Sequence, residues 1–455
     1  MATEVIVPSA LPHEMDYTLP ASLPSAKNFE IRVQPVNAQS FTAGQVLQFD
    51  LPCGRRGQYL DPATSYIRYR ITYGAPAAGT TAADYSYLLG SSYSPFLKQE
   101  VYGNNSVLLE SINEVGVLAN MLLNISLNSS DKAGLSPAMG FSSTTNTASA
   151  TAGHKIWTSA TVGAIEGLVH EYATPLIGIL GTGTDKMFPI GAIYGLRFEL
   201  TMDNFLLFTK SISANNLTSC TIDQVEFVAN VIELSPEAQS LIEMQNPEKL
   251  HIRSHSYRQA SNLLASGAVS GSNDLLVGIR VSSLKSIYMA CNVGSNCLEN
   301  KYAGINPNLD QGTCFVIAGQ NYPQRTMNPS GHPADCFMEL QKSLGALSMA
   351  TFNGTITKTA YYTSSTSYGL CQGFNNTIAG ILTNPNQFFL GIDTEVVARK
   401  ENLLSGINVN SSPMFFRAQV GSTAIAAYNH VLNFFGYYDL ILEIDVAQKN
   451  IISKF

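Results

Sequence analysis

Two histidines, three acids and one basic turn are the residues whose types and spacing come nearest to chemistry. His251 and His255 stand four apart in HIRSHS. On an extended chain both imidazoles fall on one side and can share a metal, yet no third ligand lies near them in sequence. His170-Glu171 opens like the HExxH zinc motif, with Thr174 where the second histidine belongs. Asp439, Glu443 and Asp445 alternate with Tyr438, Leu440, Leu442 and Ile444, so they read as the polar side of a strand before a general acid and base pair. Gly54-Arg55-Arg56-Gly57 suits a phosphate or an acidic neighbour, and reads first as a solvated or intersubunit loop. The patterns GxSxG, GxxxxGKS/T and GxGxxG are absent. No catalytic, cofactor-binding or metal residues are therefore assigned, and the chain is not read as an enzyme.

Composition narrows the classes further. Charged residues make up 13% of the 455, about half the ordinary share, while 45% are hydrophobic, so much of the surface is neutral and polar or covered by other subunits. A net charge of -7 with no basic cluster longer than Arg55-Arg56 or Arg399-Lys400 argues against specific nucleic-acid binding, which needs grouped cations to meet phosphates. The seven cysteines (Cys53, Cys220, Cys291, Cys297, Cys314, Cys336 and Cys371) are odd in number and contain no CxxC, so buried free thiols are expected, with no disulfide framework or zinc site. The start, MATEVIVPSALPHEMDY, lacks the pattern of a secretory signal, and no apolar run approaches the roughly 18 residues that span a bilayer. Triplets such as Asn124-Ile125-Ser126 and Asn353-Gly354-Thr355 are expected to stay unglycosylated.

The elements that would position these residues are mostly strands. Leu47, Phe49 and Leu51 alternate with Gln48 and Asp50; Ile67, Tyr69, Ile71 and Tyr73 alternate with Arg68, Arg70 and Thr72. Period two with one apolar side means strands half-buried on one face of a sandwich. Leu196, Phe198, Leu200 and Met202, then Val225, Phe227, Ala229 and Val231, close the first half; Ser235-Pro236-Glu237 caps a short helix to Met244. Val277/Ile279/Val281, Ile287/Met289/Cys291 and the run from Tyr438 to Val446 carry the scheme through the second half. Two further helices are expected at matching points: one from a capping box of Ser111 and Glu114 through Val115, Leu118 and Leu122, the other N-capped by Asp335 with Phe337, Leu340, Leu344 and Leu347 on one face, ending near Met349. Long Ser/Thr/Asn/Gly-rich excursions follow each, at about 124–186 and 350–387, and are read as loops projecting from one end. The aromatic pairs Tyr361-Tyr362, Phe388-Phe389, Phe415-Phe416 and Phe434-Phe435 would each turn one ring outward in a strand, which suggests surfaces covered by another subunit.

The order of parts thus occurs twice: 1–28 is an extended arm rich in proline, 29–245 a first β-domain and 246–455 a second. Short strands separated by turn chemistry indicate antiparallel sandwiches, with jelly rolls the leading form. LKQEVYGNNSVLLESINEVGVLANMLL, PIGAIYGLRFELTMDN and TIDQVEFVANVIELSPEAQSLIE, followed by IRSHSYRQASNLLASG, RVSSLKSIYMA, GQNYPQRTMNP, FFLGIDTEVV, LLSGINV and FFGYYDLILEIDV, resemble in content and order the major capsid proteins of polinton-like viruses, adintoviruses and their relatives over about 28–450.

The resemblance implies an all-β chain of two consecutive eight-stranded antiparallel jelly rolls, a double jelly roll of the adenovirus and tailless-phage lineage, with short helices and long loop insertions. It implies a homotrimer forming a pseudo-hexagonal capsomer in the icosahedral shell of a double-stranded DNA virus. Its partners would be neighbouring capsomers, penton and other minor capsid proteins, and a host receptor met through loop towers; its place would be the virion. The competing reading is a two-domain β-sandwich that binds glycans or acts in attachment.

Overall fold

Residue periodicity becomes architecture in a computed structural model that describes residues 25–454 apart from 75–84, 141–152, 159–167, 182, 185, 212–216, 266–270, 294–300, 303, 305, 308, 346–355, 357, 359–360, 362–386, 396–403 and 422–429. Residues 1–24 of the expected arm, most of the second excursion, and Cys297 and Cys371 lie outside the described residues; the last residues of that arm, Ala26 to Asn28, belong instead to a strand paired with 232–234. The strands before residue 240 are β1 (Ala26–Val33), β2 (Ser40–Phe41), β3 (Val46–Leu51), β4 (Gln58–Leu60), β5 (Tyr66–Tyr73), β6 (Tyr85–Leu89), β7 (Phe96–Tyr102), β8 (Leu108–Asn113), β9 (Gly153–Thr158), β10 (Val169–Pro175), β11 (Leu196–Met202), β12 (Thr209–Ser211) and β13 (Cys220–Leu234). Those after it are β14 (Lys249–Leu264), β15 (Gly271–Val277), β16 (Leu284–Val293), β17 (Gly312–Ile317), β18 (Gln320–Met327), β19 (Phe389–Asp393), β20 (Met414–Val420), β21 (His430–Asp445) and β22 (Asn450–Lys454). The helices are α1 (Val115–Ser126), α2 (Ser129–Met139), α3 (Phe205–Phe208), α4 (Pro236–Gln245) and α5 (Pro333–Ser343).

In the first half one sheet runs β1-β13-β5-β10 and the other β3-β11-β7-β8; in the second they run β14-β21-β16-β19 and β15-β20-β17-β18. Among the eight principal strands of each half, counted in chain order, the first, third, sixth and eighth make one sheet. The second, fourth, fifth and seventh make the other. Both halves therefore wind as jelly rolls. The cores match as well. Phe49 and Phe198 on the second and seventh strands meet Phe227 on the eighth, with ring centroids 5.6–6.1 Å apart. Phe315 and Phe416, on the fourth and seventh strands of the second half, meet Phe434 on its eighth at 5.1–5.9 Å.

Helices α1 and α5 both follow the fifth principal strand of their half, the matching points the sequence indicates. Their bounds differ from expectation: α5 ends at Ser343, with Leu344 as its C-cap, short of the expected end near Met349, and both starts are shifted. Ser111 belongs to β8, where it pairs opposite Glu100, because Ile112 beside it is wholly buried and holds the strand in place. The first helix begins at Val115, with Glu114 before it at φ 51° and no side-chain cap. The second starts at Pro333, so His332 is the cap residue and Asp335 sits in the first turn, where it favours the positive end of the helix. Ser235 does cap α4, accepting from the Ala238 amide at 3.4 Å, with Pro236 at the first helical position.

The stretch 124–186 is more than loop. It holds α2, β9 and β10, and β10 is the sixth principal strand, paired with β5. Its inward residues Tyr172 and Thr174 are hydroxylated, so apolar alternation gives no signal there. β6, β9 and β12 form a small separate sheet from the connections after the third, fifth and seventh strands, which antiparallel winding places at one end of the sandwich. Ile279 and Val281 are buried but lie beyond β15, which ends at Val277.

Two of the four aromatic pairs are also corrected, while Phe415 is partly exposed beside buried Phe416 and Tyr362 lies outside the described residues. Phe388, Phe389, Phe434 and Phe435 are all buried within the chain. Helix α5 supplies the cover: Phe337 meets Tyr361, which meets Phe388, and Tyr288, opposite Phe435, donates from its hydroxyl to the Ser343 carbonyl at 3.0 Å. Cys220, Cys291, Cys314 and Cys336 are buried free thiols, and Cys53 is half-buried.

Candidate functional site

The histidines and acids singled out in the sequence come together on β14 and β21, which pair over their full length with His251 opposite Glu443 and His255 opposite Asp439. His255 Nδ1 lies 3.2 Å from Asp439 Oδ1, Arg253 Nη2 donates to the same oxygen at 2.9 Å, and Ser283 Oγ donates to Oδ2 at 2.7 Å. Serine, histidine and aspartate meet here in the wrong connectivity for nucleophilic catalysis. A relay needs the serine on the imidazole, whereas both of these groups face the carboxylate. Burial pushes Asp439 up, but the hydrogen bonds from His255, Ser283 and Arg253 overcome it and hold the carboxyl at about 2.

Glu443 is clamped between Lys249 Nζ, at 2.6 Å, and Lys454 Nζ, with His251 Nε2 at 3.5 Å. The two lysines lower its carboxyl from 4.5 to about 2. Because the folded value lies below the ordinary one, this pairing stabilises above about pH 4.5 and is lost as pH falls towards 2. Glu443→Gln is accordingly expected to flatten the decline in stability between those pH values, read by circular dichroism on acid titration; an unchanged profile rejects the assignment.

The remaining candidates do not join this cluster. His170 stacks on Tyr172, and Glu171 pairs with Arg68 at 3.3 Å. Arg55 and Arg56 turn to acids of their own chain, Arg55 to Glu233 at 3.2 Å and Arg56 to Glu243 at 2.6 Å. Among the described residues no group of three or more His, Cys, Asp or Glu is placed to hold a metal.

A second polar assembly joins the two jelly rolls. β14 and β21 are each 16 residues long, and β14 lies against β8 and the turn Gly178–Leu180 of the first half. The His255 amide donates to the Gly183 carbonyl at 2.6 Å and Ser254 Oγ donates to it at 2.9 Å. A Cβ on Gly183 would lie 2.3 Å from the His255 carbonyl, so the backbones approach only because this residue is glycine. Lys301, from the connection after β16, reaches Glu114 at 2.9 Å and Asp203 of the first half, while Tyr302 donates to the Ser94 carbonyl at 2.6 Å. The Tyr194 amide donates to the Lys449 carbonyl at 3.2 Å, and Lys449 Nζ sits 4.9 Å above the Tyr194 ring. Sequence reasoning missed Lys301, Gly183 and Ser256, and Glu110 with them. A lone acid between Leu109 and Ile112 was the one available signal.

The fold so described is shared with solved structures. A structure of the PBCV-1 virus capsid is 8% identical, covering 96% of this chain and 98% of that one with a TM-score of 0.58. The Faustovirus major capsid protein is 8% identical over 94% and 92%, TM-score 0.57. The mavirus major capsid protein is 10% identical over 100% and 97%, TM-score 0.54. The chain has the double jelly-roll fold. No family model and no curated protein matches it. In this double jelly roll the ladder on β14 and β21 stiffens the strands that carry the second half onto the first, and the seam fixes their relative placement.

Proposed function

We propose that the chain is the major capsid subunit of a double-stranded DNA virus, of the polinton-like and adintovirus kind that its motifs resemble. The observation that carries this reading is the joining of two jelly rolls of matching strand order by a dense polar seam, in a fold matched over nearly its whole length by capsid proteins. Two similar domains held side by side present nearly equivalent walls. Three copies then close a ring by heterologous contacts, giving six jelly rolls in one pseudo-hexagonal capsomer. Exposed apolar residues such as Leu263, Leu276, Leu241 and Met244 support faces that other copies cover.

The division proposed is an arm at 1–28 and domains at 29–245 and 246–455, with the arm and the capsomer sides meeting neighbouring capsomers, penton and minor capsid proteins. The virion is the proposed location, and loops at one end are the proposed receptor-facing towers. Native mass spectrometry of the purified chain, followed by electron microscopy, tests the reading. A trimer with six-lobed outline is expected; a monomer that binds glycans overturns it in favour of an attachment protein.

A further inference from the structure

The seam holds one carboxyl that neither the ladder nor Lys301 serves. Glu110 in β8 is 2% exposed. The donors it meets are neutral: Ser256 Oγ from β14, the Ile179 amide at 3.2 and 3.3 Å from its two oxygens, and Gln99 Nε2 at 3.5 Å from Oε2. Gly178, at φ 81°, completes the cradle, since a Cβ there would lie 2.3 Å from either oxygen. The titratable and charged groups facing this carboxyl are few. β21 brings the buried Tyr438 phenol, with Arg258 of β14 beyond it. β7 brings the neutral Gln99, and residues 178–180 bring a neutral amide.

We propose that Glu110 is a proton-operated latch between the two jelly rolls. Protonated, it bridges β8 to Ser256 as a neutral group, exchanging a hydrogen bond with a hydroxyl able to donate or accept. Ionised, it leaves a buried charge at the seam with no cation against it among the groups described above, and this favours parting of the halves. Burial pushes the carboxyl from 4.5 up to about 7, although Ser256, the Ile179 amide and Gln99 oppose the shift. A folded-state value above the ordinary one means the stabilisation is complete below about pH 4.5 and is lost as pH rises through about 7. Acid closes this latch, the reverse of the Glu443 clamp.

The latch belongs to the folded chain, so it stands or falls independently of shell assembly. Its test is urea unfolding of the full chain at several pH values, with Glu110→Gln beside the native protein. The native unfolding equilibrium constant is expected to rise on the order of 100-fold more than that of Glu110→Gln between about pH 4.5 and 7.5. Parallel profiles overturn the proposal. If Glu110→Gln does not fold, infrared spectroscopy of the native protein gives the readout. A carboxylic-acid C=O band that persists to near neutral pH, with a midpoint moved upward in Ser256→Ala, supports the latch. Loss of every such band by about pH 5, or a midpoint that Ser256→Ala leaves in place, overturns it.

Discussion

Lys301→Met lowers stability by about 3–5 kcal/mol at neutral pH, the largest single effect expected at the seam. The ammonium is the cation held between Glu114 and Asp203, and Asp203 is only 5% exposed. Removing it leaves two carboxylates side by side, one of them desolvated, with methionine unable to answer either. Burial already pushes Glu114 up, against the opposing pull of Lys301, so the variant's acids relieve the strain by taking up protons. The variant's folded state then binds more protons than its unfolded state above the ordinary carboxylate value, so its deficit shrinks as pH falls from 7 towards about 4.5. Urea denaturation at pH 7 and pH 4 measures both parts. Adding Asp203→Asn and Glu114→Gln should restore most of the loss, since the charges that need a partner are gone. A deficit below about 1 kcal/mol at pH 7 would mean that solvent, not Lys301, serves these acids.

Phe434→Ala costs about 3–5 kcal/mol, through lost burial and the cavity that the surrounding sheets cannot close. Its ring is fully buried and packs against Phe315 and Phe416 across the second sandwich. Phe227 occupies the matching eighth strand of the first sandwich, against Phe49 and Phe198, and Phe227→Ala should cost a similar amount. The two clusters share no ring, so in the double variant the losses are expected to add within about 0.5 kcal/mol. Calorimetry of the two single variants and the double variant measures this. A strongly non-additive result would show that the two cores melt through a common element, for which the long β14–β21 pair is the candidate.

Strands whose inward residues are apolar were readable directly. β3, β5 and β11 fall where alternation places them, because Leu47, Phe49, Ile67, Tyr69, Phe198 and Leu200 need one buried face, and period two is the only extended geometry that gives it. β10 was not readable, since Tyr172 and Thr174 line its inward side and a hydroxylated residue carries no pattern against polar neighbours. Ser111 misled for a related reason. A capping box is a local signal, and the burial of Ile112 with the pairing of β8 against β7 outweighs it. Phe388-Phe389 and Phe434-Phe435 misled because sequence does not say what covers a sheet, and here α5 covers it beside Phe388 and Phe435.

The candidate site divides in the same way. His251, His255, Asp439 and Glu443 were identifiable as one-sided residues of two strands, but their mutual contact depended on the register of β14 against β21, over more than 180 residues of intervening chain.

By itself the sequence determined the fold class, the doubling of the scheme and the presence of the matching helices, because these follow from periodicity and composition, which act over a few residues at a time. Tertiary structure alone decided how one jelly roll meets the other. Gly183 against His255, Lys301 between Glu114 and Asp203, and Glu110 against Ser256 are contacts between residues far apart in the chain. Burial and low dielectric act on them only once both halves are folded, and no local pattern encodes a neighbour that arrives from the other domain.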